Sequence, residues 1–213
     1  MFYTAELHYK EVLKLLEFHI ETNKITCIVG ESGGGKTTLL RLLSKLISPT
    51  EGTLYFKDEE VEKIDSVEYR KKVILLPQKP YVFPGTIKDN LVKGLMYHKK
   101  KVLEDELASA LKFVHLNKPL DTKSKFLSGG ESQRLAIARI ILLDPEVILL
   151  DEPSSALDEE TEQFVIKAMC EYVKSNNKTL VMVTHSKAIA KQYGDTILTI
   201  ENGELKGRLD NGR

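Results

Sequence analysis

Eight residues, Gly30-Glu31-Ser32-Gly33-Gly34-Gly35-Lys36-Thr37, constrain this chain more than any other stretch. They follow an apolar run, Ile25–Val29, and open a run of helical character over residues 38–47. The pattern G-x-x-x-x-G-K-[ST] between a strand and a helix is that of a loop built around a nucleotide phosphate. Glycines let the main chain turn tightly about an anion. Successive N–H groups then point inward, and the helix N-terminus adds the positive end of its dipole. In such a loop Lys36 reaches the β- and γ-phosphates, the Thr37 hydroxyl binds Mg²⁺, and Thr38 extends the cradle. A plain Gly-rich turn before a core helix is the alternative, and motif and flanking context together argue against it.

Around this loop, apolar runs alternate with helical ones. Residues 2–10, 12–20 and 25–29 read as strands, the first two antiparallel, with a turn at Thr22-Asn23. Residues 53–56 form a short strand followed by an acidic turn at Asp58-Glu59-Glu60, and residues 73–76 form a buried strand running into Pro77-Gln78. Helical periodicity returns over residues 102–115, 131–143, 159–174 and 187–193, and apolar strands over 146–150, 180–184 and 196–200. This order predicts an α/β fold with a mostly parallel sheet, in one domain. Its core is expected at about 1–79 and 144–213. The stretch 80–143, without strand pattern, is expected as an inserted helical lobe.

Totals narrow the function. Lys+Arg and Asp+Glu both number 31 among 213 residues, so no basic footprint for nucleic acid stands out. No run reaches the ~18 apolar residues that a membrane span needs, and no signal peptide is apparent. Cys27 and Cys170 lie far apart and read as small buried hydrophobes in a reduced, cytoplasmic setting.

Two further constellations carry chemistry. The apolar run Val147-Ile148-Leu149-Leu150 ends in Asp151-Glu152, and two carboxylates at the tip of a buried strand are costly unless they have work to do. Asp151 is placed to hold Mg²⁺, and Glu152, on the other side of the strand, to face a water attacking the γ-phosphate. Ser128-Gly129-Gly130-Glu131 opens a helix with Ser128 as its N-cap, a second anion-binding helix start that a single nucleotide does not require.

Taken in order, the phosphate loop, Gln78 after a strand, Leu127-Ser128-Gly129-Gly130-Glu131, Leu150-Asp151-Glu152-Pro153, Ser155-Ala156-Leu157-Asp158 and His185 after a strand resemble the ATP-binding subunit of an ABC transporter. The resemblance covers residues 2–205 and implies a P-loop NTPase core that hydrolyses ATP with Mg²⁺. It also implies a head-to-tail homodimer in which nucleotide is sandwiched. Ser128, Gly129, Gly130 and Glu131 of one chain meet the γ-phosphate held by the loop of the other. By the same resemblance Gln78 senses Mg²⁺ or the attacking water, His185 contacts the γ-phosphate, Asp158 reaches the partner's phosphate loop, and Tyr9, with Tyr3 as the fallback, stacks on the adenine. A separate integral membrane subunit is implied, with the chain peripheral on the inner face of the cell membrane. Its docking surface is expected in the loop 79–86, whose aromatics suit a plug at the hinge of the helical lobe equally well. A soluble ABC-type ATPase acting on DNA or ribosomes is the alternative. Local similarity over residues 47–54, Tyr69-Arg70 and residues 83–91 resembles a small group linked to metal or iron export.

Overall fold

A computed structural model describes residues 1–98, 101–154 and 156–212. Ser155, named above within a motif, lies outside the described residues. The strands are β1 (Phe2–Tyr9), β2 (Leu13–Ile20), β3 (Ile25–Val29), β4 (Glu51–Phe56), β5 (Glu59–Glu60), β6 (Val73–Leu76), β7 (Val147–Asp151), β8 (Thr179–Val183), β9 (Thr196–Glu201) and β10 (Glu204–Asp210). The α-helices are α1 (Lys36–Leu43), α2 (Ser66–Lys72), α3 (Ile87–Val92), α4 (Glu104–Phe113), α5 (Gly129–Leu143), α6 (Glu159–Ser175) and α7 (Lys187–Tyr193).

The strands form two sheets. The larger runs β10-β9-β3-β8-β7-β6. Every neighbouring pair in it is parallel except β10 with β9. The smaller, β2-β1-β4-β5, is antiparallel throughout. Central strands β3, β7 and β8 are buried along their whole length, which is why they are apolar without alternation. Their side chains nevertheless sort by face. Cys27, Ile148, Leu150, Leu180 and Met182 join one apolar cluster with residues of α3 to α7. Ile28, Val147, Leu149, Val181 and Val183 join another with α1 and the smaller sheet. The first cluster runs unbroken from the sheet into the helices of residues 87–143 through Leu91, Leu107, Leu111, Leu135 and Ile137. Burial pushes both thiols, Cys27 and Cys170, up to about 12, which leaves them packed and unreactive. Among the described residues no helix is long and apolar enough to cross a membrane.

Two local expectations are corrected, and two elements are added. The first helix ends at Leu43 rather than at residue 47, because Lys45 turns left-handed (φ 54°) and Leu46 points to solvent. The acidic turn at Asp58-Glu59-Glu60 is instead a two-residue turn at Lys57-Asp58. Both residues have positive φ, the pairing that joins twisted strands, and Glu59-Glu60 add to the sheet. Helix α2 and strand β10 had no sequence assignment. Asp65 caps α2, accepting from Val67 N and Glu68 N.

Candidate functional site

The parallel strands deliver their C-terminal ends to one edge of the larger sheet, where open α/β sheets bind ligands. The loop after β3 comes first. Gly30 has φ 144°, and a Cβ there would stand 1.9 Å from the Ile200 carbonyl oxygen, so the strand can leave the sheet only through glycine. The loop is then tied down. Gly34 N donates to Glu31 O (3.2 Å), and Gly203 N donates to Gly34 O (3.0 Å). Gly35 occupies the N-cap of α1 with no side-chain cap, so the N–H groups of the first helical turn stay available to an anion. Lys36 is buried, and its ammonium donates to Gly30 O (2.9 Å) and Glu31 O (2.6 Å), folded onto the loop that it would share with a phosphate.

Strands β6, β7 and β8 bring the partners of this loop. Thr37 Oγ1 donates to Asp151 Oδ1 at 3.2 Å. Burial raises the Asp151 carboxyl above its ordinary value; the Thr37 hydrogen bond opposes this, and the neighbouring Glu152 charge reinforces it. The next residue departs from the strand. Glu152 has φ 47°, a left-handed conformation uncommon for a side chain of its size, and its N–H donates to Val183 O (3.2 Å). The kink brings its carboxylate between two side chains. Gln78 Nε2, just beyond β6, donates to Glu152 Oε2 (2.6 Å), and His185 Nε2, just beyond β8, lies 2.7 Å from Glu152 Oε1. An open cleft of about 280 Å³ lies between this trio and the loop residues Ser32, Gly33, Gly35, Lys36, Thr37 and Thr38.

A hard, oxygen-preferring cation fits here. The Thr37 hydroxyl and the Asp151 carboxylate already face each other, and Mg²⁺ takes few protein ligands and keeps the rest for waters and phosphates. Among the described residues no group of three or more His, Cys, Asp or Glu could hold a metal on its own, so the donor set suits a phosphate-bound cation rather than a soft transition metal.

The second helix start lies apart. Ser128 caps α5: its hydroxyl accepts from Glu131 N (3.2 Å), and Glu131 Oε2 accepts from Ser128 N (2.9 Å). That N–H and Lys118, 3.1 Å away, hold the Glu131 carboxyl below its ordinary value. Ser128 and Gly129 face solvent and Gly130 is half-buried; none of the three lines the cleft of its own chain. Asp158 caps α6 by accepting from Thr161 N (2.9 Å), which lowers its carboxyl, and it too lies outside the cleft. Gly130 packs on the segment before Asp158: a Cβ there would meet Ala156 O at 3.0 Å.

Among the residues expected from sequence, the structure therefore gathers Gly30 to Thr38, Gln78, Asp151, Glu152 and His185 at one edge, and leaves Ser128, Gly129, Gly130, Glu131 and Asp158 on another surface. Tyr9 is half-buried against the smaller sheet, with the Lys10 ammonium 5.3 Å from its ring centre. It does not line the cleft; Val12, three residues on, does. Sequence reading overlooked Val12 as a lining residue. It also overlooked Gly203, whose N–H braces the loop and which reads only as a turn glycine in the sequence.

Comparison with known proteins gives a consistent family. The family model for "ABC transporter" matches residues 13–155. The phosphate import ATP-binding protein PstB of Thermotoga maritima is 39% identical over 210 residues, covering 92% of this chain and 83% of that protein. A dimeric, post-hydrolysis structure of the ATP-binding cassette MJ0796 with ADP and Pi superposes with a TM-score of 0.89 at 26% identity, covering all of both chains. A bacterial Atm1-family ABC exporter with ATP bound superposes with a TM-score of 0.90 at 27% identity, covering 99% of this chain and 39% of the exporter's.

Proposed function

The chain belongs to the ABC transporter family, and from that premise we propose that it is the ATP-hydrolysing subunit of a transporter whose membrane-spanning part is a separate protein. Gly30 to Thr38 hold the phosphates of ATP, with the Lys36 ammonium leaving the Gly30 and Glu31 carbonyls to take them. Thr37, Asp151 and Gln78 hold Mg²⁺, which when bound neutralises charge on the phosphate oxygens. Glu152 orients a water and accepts its proton as that water attacks. Gln78 and His185 keep its carboxylate aimed until nucleotide arrives, when His185 turns to the γ-phosphate. Adenine stacks at Tyr9.

Ser128, Gly129, Gly130 and Glu131 complete the site of a second copy, and Asp158 touches that copy's loop. The observation that carries this reading is the Gln78–Glu152–His185 bracket beside an uncapped, Lys-bearing loop. It supplies a water-orienting carboxylate and donors for the γ-phosphate, and the chain carries a second anion-binding helix start on a different surface. The helical lobe, residues 80–143, carries that helix start, and the loop 79–86 meets the membrane subunit. The chain then sits on the inner face of the cell membrane.

For cargo, the local similarities around residues 47–54 and 83–91 favour metal or iron export. PstB, a relative of the whole chain, is named for phosphate import, so import of a solute is the second cargo reading. The test is capture of tagged Glu152→Gln chain with ATP from gently solubilised native membranes. Stoichiometric recovery of a multi-span protein supports the transporter reading. Recovery only with ribosomes or DNA overturns it in favour of a soluble ATPase.

A further inference from the structure

Gln133 is a residue of the interior with both side-chain polar atoms unpaired, where the other buried orphans among the described residues, on His8, Arg134 and Arg139, are single atoms. It is 1% exposed, and neither its side-chain oxygen nor its nitrogen has a hydrogen-bond partner. Buried amides are rarely left so, because the desolvation of each polar atom goes uncompensated. Its neighbour Arg134 carries a second orphan, the buried Nε. Both residues sit in the second turn of α5, the helix that Ser128 caps.

Helix geometry gives the anomaly a direction. Helical side chains lean toward the N-terminus and cover the preceding turn, so Gln133 lies over Gly129 and Gly130. That turn packs on the segment before α6. A Cβ on Gly129 would lie 3.8 Å from the Ala156 Cβ, and one on Gly130 3.0 Å from the Ala156 carbonyl oxygen and 3.2 Å from Leu157 Cδ2. The missing side chains let the Ala156-Leu157 main chain approach the helix, and Gln133 is a buried amide on the next turn of the same helix face. Leu157 N is already used, donating to Ser154 O at 2.9 Å, so the segment is held as a turn in this arrangement.

We propose that Gln133 is a positioning residue for the nucleotide sandwich: its amide gains main-chain partners from the Ala156-Leu157 segment when two chains close on ATP, and lacks them in the single open chain. This inference rests on the cassette reading above. An interaction present in one state and missing in the other shifts the equilibrium toward the state that satisfies it. Gln133 therefore couples the Ser128 helix start to the segment that ends in Asp158. Both face the partner copy, and neither touches the chain's own cleft.

The test is Gln133→Met, which keeps length and volume and removes both polar atoms; Gln133→Leu serves if the first variant does not fold. Without nucleotide, the Met variant is expected to melt about 2–4 °C higher than the parent, because an unsatisfied amide has gone. ATP affinity of the single chain, read by titration with a fluorescent ATP analogue, stays at the parental value. Turnover falls about tenfold at unchanged KM, the worth of one net hydrogen bond. In a Glu152→Gln background, the ATP-dependent dimer seen by sedimentation weakens by a similar factor.

A merely structural amide would lower the melting temperature and move turnover only with the folded fraction, and that pattern overturns the proposal. Parental turnover and dimerisation with a raised melting temperature overturn it equally. A parent chain that neither dimerises nor turns over with ATP overturns the cassette reading itself, a result distinct from either.

Discussion

The hydroxyl of Thr37 donates to Oδ1 of Asp151 across 3.2 Å, although 114 positions separate them in the chain. Strands β3 and β7 flank β8 and run parallel to it, so their C-terminal ends reach the same edge. Thr37 then opens the helix after one and Asp151 closes the other. The sheet order, rather than any local sequence, makes this pair.

Asp151→Asn separates stability from activity. Burial holds the Asp151 carboxyl above 3.8 in the folded chain, so just above that pH the folded state keeps a proton that the unfolded state has lost. Stability from this group is therefore fully present at low pH and declines as pH rises through the raised value. At neutral pH the buried charge is a net cost. The Asn variant should melt about 2–4 °C above the parent at pH 7, with the gap closing toward pH 4. Its ATP turnover should fall on the order of 10³-fold, as a metal ligand is lost. Melting curves across pH and a phosphate-release assay check both.

Glu152→Gln should retain ATP binding and lose about 10²–10⁴-fold in turnover. The amide oxygen still accepts from Gln78, while the amide nitrogen replaces the oxygen that faced His185 Nε2. Gel filtration with ATP should show a dimer that the parent does not accumulate. Turnover at the parental rate would remove Glu152 from the water-orienting role.

Gly30 and Gly52 form a matched pair. Each has positive φ (144° and 78°), and a Cβ at either would lie 1.9 Å from a carbonyl oxygen, that of Ile200 or of Glu6. Alanine at either should destabilise by about 2–4 kcal/mol. Gly30→Ala should also abolish ATP binding, because it displaces the phosphate loop. Gly52→Ala, in the smaller sheet, should leave the affinity of the surviving folded chain unchanged. Chemical denaturation and nucleotide titration of the two variants distinguish strain at the site from strain elsewhere.

Tyr69 is fully buried and donates its hydroxyl to Leu43 O at 2.5 Å, joining α2 to the end of α1. Tyr69→Phe leaves that carbonyl without its partner and should cost about 1–3 kcal/mol. Turnover per folded chain should stay within about twofold, since no group of the cleft is moved. Urea unfolding and single-point ATPase rates measure the two effects.

Much of this was legible in the chain because the buried strands are uniformly apolar. Val147–Asp151 and Thr179–Val183 are covered on both faces and read as strands without structural help. Strand β10 was not legible: it is an edge strand, largely exposed, and its sequence ELKGRLD offers no apolar alternation. Helix α2 buries only Tyr69 in seven residues, too little for a periodic signal. The bracket around Glu152 was hidden for a different reason. Gln78, Glu152 and His185 come from three strand ends, and a left-handed residue aims the middle one. Sequence gives the residue types; only the sheet order and that φ give their meeting.

The exposed Ser128 helix start, standing outside its own chain's cleft, has a kinetic consequence under the proposed sandwich. A solitary copy owns two different halves and no whole site. On dilution well below the association threshold, rate per volume should fall as the square of protein concentration rather than in proportion to it. A Lys36→Ala copy still owns an intact helix start, so mixing it with a Ser128→Arg copy, each inactive alone, should restore one whole site per pair, a complementation that a self-sufficient enzyme would not show.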